Sequence, residues 1–93
     1  MIYAIVQLKL QDPEAMGAYR EKAADALSKH GGQVVTASGE LTAIDGAPNL
    51  PDFAVILSFP DKAAAEAWIG DPALAETHAL RRKGAQSDIF LVG

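Results

Sequence analysis

Apolar residues occupy every even position from Ile2 to Leu10, while the odd positions carry Tyr3, Ile5, Gln7 and Lys9. A period of two over this length predicts a strand. Asp12-Pro13-Glu14 follows, setting a capping carboxylate, a proline suited to the first helical position and an early acid in succession. That combination predicts a helix start. The helix is expected to run to about His30, with Met16, Ala23, Leu27 and His30 along one stripe and Tyr19 and Ala26 beside it. Gly31-Gly32 supplies the left-handed stop.

Residues 33–45 predict a second strand, interrupted at Ser38-Gly39, where a glycine inside a strand marks a bulge or bend. The segment GAPNLP reads as a loop. Phe53 to Phe59 predicts a third strand, apolar on both faces. Pro60 ends it, and Asp61 caps a short alanine-rich helix that holds the only tryptophan, Trp68. Gly70 breaks this helix. Asp71-Pro72 then repeats the cap-and-proline device and starts a helical stretch to about Lys83, stopped by Gly84. Residues 86–92 predict the last strand, again apolar on both faces.

The order strand, helix, strand, strand, helix, strand predicts a single α+β domain over residues 1–93. Its simplest closure is a ferredoxin-like βαββαβ sandwich: an antiparallel sheet with helices on one face and the first and third strands in the centre. Those helices cover one sheet face only. A bare face carrying Tyr3, Ile5 and Ile56, or else Phe53 and Leu57, is a patch that monomers avoid. The expected remedy is a second copy packed sheet to sheet, an isologous homodimer.

Composition narrows the function. The chain has no cysteine, which removes disulfides, thiolate nucleophiles and thiolate metal sites. Its net charge is −4, with acids and bases interspersed, and Arg81-Arg82-Lys83 is too short to make a nucleic-acid surface. No apolar run approaches the ~18 residues of a membrane span, and the first residues read as a strand, not a leader peptide. A soluble, cytoplasmic protein is expected. His30 and His78 are the only histidines and neither has a neighbour at metal-ligand spacing, so no metal is expected. Ser38-Gly39 lacks the glycine of a nucleophile elbow, and no phosphate-cradling glycine pattern occurs. No cofactor is expected.

Asp12-Pro13-Glu14, Tyr19, His30-Gly31-Gly32, Gly39, Phe59-Pro60, Ala64 to Trp68, Leu80-Arg81 and Ser87 follow one another along the whole chain. This pattern resembles the domain-of-unknown-function 1330 family of the dimeric α/β barrel superfamily. The resemblance implies a ferredoxin-like protomer and a dimer whose sheets pack into a barrel. The superfamily includes cofactor-independent monooxygenases, small-lactone isomerases and heme-handling proteins. It therefore implies a cofactor-independent enzyme, monooxygenase- or isomerase-like, acting on a small enolisable or phenolic molecule. The alternative is a non-catalytic ligand-binding or sensing module. The chain departs from the family where a tyrosine commonly follows the tryptophan, here Ile69, and where a Glu-Tyr pair becomes Ala73-Leu74. That puts in question any shared chemistry resting on those hydroxyls.

The candidate chemistry is sparse. His30, near the sheet at the end of the first helix, is a candidate general base, or simply a capping and packing residue. Leu74, His78 and Arg81 share a helical face by spacing. His78 and Arg81 are candidates to hold an enolate or carboxylate, with Arg81 as the cation. The plainer readings are a solvated polar face for His78 and an ion pair from Arg81 to Glu76 or Asp88. Trp68 is either a core anchor over Ala63, Ala64 and Ala67 or the wall of a ligand cavity. Tyr19 presents a phenol to that cavity or packs with its hydroxyl at the edge. Ser87 joins the ligand-binding set through the resemblance. In the enzymatic reading His30 or His78 moves a proton, Arg81 stabilises the oxyanion, and Trp68 and Tyr19 line the cavity.

Overall fold

The even positions of the first strand turn towards the helices. In the computed structural model, which describes residues 1–93, β1 (Ile2–Leu10) buries Ala4, Val6 and Leu8 and leaves Tyr3 and Lys9 exposed. The remaining elements are α1 (Pro13–Ser28), β2 (Gln33–Ser38), β3 (Phe53–Phe59), α2 (Lys62–Gly70), α3 (Ala75–Gly84) and β4 (Ala85–Val92). The sheet order is β2-β3-β1-β4 with every neighbour antiparallel, so the first and third strands form the central pair. This is the expected ferredoxin-like α+β arrangement.

The helix starts follow from their caps. Asp12 Oδ1 accepts from the backbone N–H of Glu14 and of Ala15, each at 3.1 Å. Asp61 Oδ1 accepts from Ala64 N–H at 2.8 Å, and Asp71 Oδ1 from Ala73 N–H at 2.8 Å. Each carboxylate satisfies donors that the first helical turn leaves unpaired. After Asp71 the chain makes a 3-10 turn over Pro72–Leu74 before α3 begins. Helix α1 stops at Ser28, two residues before His30, and Gly31 takes a φ of 73° as the chain turns back.

Two features of β2 differ from the sequence expectation. β2 ends at Ser38, and residues 39–52 run without strand structure, so the strand foreseen to residue 45 is half that length. The irregularity inside β2 lies at Val35, not at Ser38-Gly39: Val34 pairs with Leu57 and Thr36 with Ile56, leaving Val35 as an extra residue. The insertion changes the strand's phase. It turns Ala37, opposite Val55, to the helix side instead of the open side.

The core joins β1, β3, α1 and α2, with Leu74 of the 3-10 turn and Ala85 of β4, around Phe59 and Trp68, whose ring centroids lie 5.5 Å apart. Gly84 lets α3 end against the start of α1. A Cβ there would stand 2.7 Å from Met16 N and 2.9 Å from Met16 Cα, which are backbone atoms that cannot step aside. The Gly84 carbonyl accepts from Gln11 N–H and Asp12 N–H at 3.0 and 3.1 Å, fastening the same junction. We expect Gly84→Ala to cost about 3 kcal/mol, the upper end for overpacking. Gly17→Ala, mid-helix with open space around its Cβ position, should gain about 0.5–1 kcal/mol. Urea denaturation of both variants checks the pair.

On the sheet face away from the helices, Thr36, Ile56, Ile5 and Phe90 stand in one cross-strand row. Tyr3 and Val92 lie opposite each other beside it. Tyr3 is 40% exposed and Phe90 and Val92 are each 50% exposed. No helix is long and apolar enough to cross a membrane.

Candidate functional site

Helix α1 packs mainly on α3 and barely on β2. The inner face of β2, with Val34 and Ala37, is therefore left open, and a cavity of about 270 Å3 enters between α1 and the sheet. Tyr19, Phe53, Val55 and Trp68 are among its walls. Of its 15 lining residues 13 are apolar, and the other two are both arginines, Arg20 and Arg81.

Arg81 forms the floor. It is 2% exposed and His78 is 1% exposed, so the solvated polar face that the sequence allowed for α3 is not what forms. The helix buries them because they satisfy one another. Trp68 lies in the last turn of α2, where carbonyls lack helical partners. Its carbonyl accepts from His78 Nε2–H at 2.9 Å. That bond leaves His78 Nδ1 with a bare lone pair, which accepts from Arg81 Nη1 at 2.7 Å. Arg81 Nε donates to Ser87 Oγ at 3.0 Å. The guanidinium carbon stands 5.7 Å from the Tyr19 ring centroid and 5.6 Å from that of Trp68. The Trp68 and His78 rings meet edge to face at 4.8 Å. Tyr19, Trp68, His78, Arg81 and Ser87 thus converge on one site.

Two features of the site are unbalanced. The only ion pairs in the chain are Lys29–Asp71, His30–Asp71 and Lys62–Glu66, so Arg81 has no carboxylate, and the pair foreseen with Glu76 or Asp88 is not made. A buried cation without a counter-ion carries a desolvation cost of several kcal/mol. Facing aromatic rings offset part of it. The second feature is Trp68 Nε1, a buried donor with no acceptor. Such a group costs about 1–3 kcal/mol.

His78 is tuned by the same geometry. Burial pushes its pKa below the ordinary 6.5, and the positive charges of Arg81 and Arg82 push it the same way, against the pull of the Trp68 carbonyl. A neutral imidazole is what the Arg81 bond requires, because a protonated Nδ1 has no lone pair to offer. A lowered folded-state pKa means that the unfolded chain binds the proton first as pH falls. The contribution to stability is therefore full above 6.5 and lost progressively below it, as pH drops towards the folded value. Urea midpoints measured between pH 8 and pH 5 should fall on the acid side in the wild type, and His78→Gln should flatten that slope.

His30 stands apart. Its Nε2 lies 2.8 Å from Asp71 Oδ2, which Lys29 Nζ also reaches at 2.8 Å. Hydrogen bonds from Lys29, His30 and the Ala73 N–H hold the Asp71 carboxyl well below the usual carboxylate range. This cluster ties the end of α1 to the turn before α3, outside the cavity. Arg20 and Phe53 were not among the sequence candidates. The signal for Arg20 was present: Met16, Arg20, Ala23, Ala24 and Leu27 fall on one helical stripe. No group of three or more His, Asp or Glu side chains gathers as metal ligands.

Residues 1–93 match the family described as "Domain of unknown function (DUF1330)". Among solved structures, a protein of unknown function from Rhodopseudomonas palustris superposes with a TM-score of 0.78 at 23% identity, covering 98% of this chain and 79% of that one. SnoaB, a cofactor-independent oxygenase from Streptomyces nogalater, gives a TM-score of 0.69 at 12% identity over 99% of this chain and 90% of its own. A dimeric ferredoxin-like protein of unknown function from a Jannaschia species gives 0.64 at 20% identity over 99% and 97%. At these identities the likeness is one of fold. No curated protein matches the chain.

Proposed function

We propose, for a chain that belongs to the DUF1330 family, that the cavity under α1 binds a small organic anion through Arg81. The carboxylates, enolates and phenolates are the ligand class. The observation that carries this reading is a buried guanidinium with no carboxylate partner at the floor of an apolar cavity. An incoming anion supplies the missing charge, and the low-dielectric walls strengthen the bond. Trp68, which lines the same cavity, also carries a buried Nε1–H without an acceptor. His78 and Ser87 act by orienting the guanidinium.

A cofactor-independent enzyme fits this site if the anion itself is the reactive species, as an enolate or phenolate is; SnoaB, of like fold, is a cofactor-independent oxygenase. Arg81 then stabilises an oxyanion. The non-catalytic reading has its own support: both His78 nitrogens are engaged and His30 faces Asp71, so neither is a free base in the cavity. The anion would arrive already ionised.

Calorimetric titration with benzoate and with benzamide, its uncharged counterpart, tests the reading. We expect benzoate to bind and benzamide not to. Equal binding of the two, or none, would remove Arg81 from the role given to it.

The reading includes a homodimer closed through the open sheet face, supported by the row of half-buried Ile56 and Ile5 and exposed Phe90, with exposed Tyr3 and Val92 beside it, and by a dimeric neighbour of the same fold. Light scattering at micromolar concentration should give twice the chain mass, and Ile5→Lys should halve it. A wild-type monomer counts against the dimer.

A further inference from the structure

We infer that the ligand carries two acid groups on a small apolar body, one held by Arg81 at the floor and the other by Arg20 at the rim; this rests on the anion-binding reading above. The only charged residues lining the cavity are these two cations, in a chain whose net charge is −4. Arg20 is exposed, yet it is not spent on an ion pair. Its helical neighbours three and four residues away are Met16, Gly17, Ala23 and Ala24, none of them an acid. It occupies the apolar stripe of α1, where its guanidinium carbon lies 5.6 Å from the Phe53 ring centroid. That stacking holds a long side chain over the mouth and lowers the entropy lost on pairing with a ligand.

The cavity also bounds the body of the ligand. At about 270 Å3 it lies at or just below the range of ordinary small-molecule pockets, ~300–1,000 Å3. A cavity of this volume takes one ring or a short chain. A single acid would satisfy Arg81 and leave the rim cation facing apolar surface, whereas a diacid neutralises both.

The test compares terephthalate with its monomethyl ester, which has the same ring and nearly the same length but one charge. In the wild type the diacid should bind about tenfold more tightly, the low end for a charge-assisted contact at a partly solvated site. The ratio should fall to about one in Arg20→Gln, and Arg81→Met should lose both ligands. A wild-type ratio near one, or a ratio that survives Arg20→Gln, overturns the role of Arg20. Binding of the monoester and its loss in Arg81→Met would leave the floor site standing in that case. If neither compound binds the wild type, both readings fall.

Discussion

Arg81→Met is expected to abolish binding of organic anions while changing the stability of the protein by no more than about 2 kcal/mol. The two effects come from one feature. Arg81 is a buried cation without a counter-ion, and removing such a charge in favour of an apolar side chain of similar length is commonly neutral or stabilising by about 1–4 kcal/mol. Here the gain is reduced, because His78 Nδ1 and Ser87 Oγ lose their donor, and an unsatisfied buried acceptor costs about 1–3 kcal/mol. The two terms nearly cancel, and we expect the balance to lie within about 2 kcal/mol of zero. Ligand affinity falls by about 2–5 kcal/mol, the usual cost of truncating one member of a buried hydrogen-bonded charge pair. Calorimetry and urea denaturation on the same preparation read both. A variant that loses 3 kcal/mol or more of stability would mark Arg81 as a structural residue, held for the sake of His78 and Ser87.

Trp68→Ala should be the most damaging single change to the fold, costing about 3–5 kcal/mol. The indole is 4% exposed, and it touches Phe59 on one side and His78 on the other. It also supplies one of the two aromatic faces beside Arg81. For a domain whose total stability is of order 5–15 kcal/mol, this loss brings the variant close to unfolding. At roughly 4–8 °C per kcal/mol the melting temperature falls by tens of degrees. Trp68→Phe keeps an aromatic ring against Phe59 and removes the orphan Nε1–H. Its loss should be much smaller, because the penalty of the unpaired donor disappears with it. Thermal melting of the two variants side by side is the measurement. A loss below 1 kcal/mol for the alanine variant would make Trp68 a wall of the cavity with no share in the core.

The elements were legible because the chain states them locally. Alternation in β1 and the three capping aspartates each act within a few residues, so Asp12, Asp61 and Asp71 announce helix starts whatever the tertiary setting. The central place of β1 and β3 followed from the ferredoxin-like order of elements; apolarity on both faces supported it but did not decide it, since β4 shares that pattern and lies at the edge. β2 was less legible, because Gln33-Val34-Val35-Thr36-Ala37 has no clear period and its phase is set by pairing with β3.

The site was legible in part. Spacing put His78 and Arg81 on one face, but their burial was hidden, since Glu76, His78, Arg81, Arg82 and Lys83 make α3 read as a polar helix. What lets two polar residues go under lies outside the helix, in its two neighbours along the chain: the free carbonyl of Trp68 at the end of α2 and the hydroxyl of Ser87 in β4. His30 reads as a site residue for the opposite reason. It continues the stripe of α1 on paper, but the helix ends at Ser28 and the turn carries its ring to Asp71.

The extra residue at Val35 bears on how copies of the chain assemble. An edge strand with a regular row of free N–H and C=O groups is a template on which another chain can add, and then another, without end. β2 is such an edge, and its row is broken in the middle. A strand added there would find only short stretches in register. In the proposed dimer the apolar row on the open face, by contrast, would be covered by a single partner through a two-fold axis, and nothing of that row would be left to recruit a third. One inserted residue thus guards this edge of the sheet against open-ended growth.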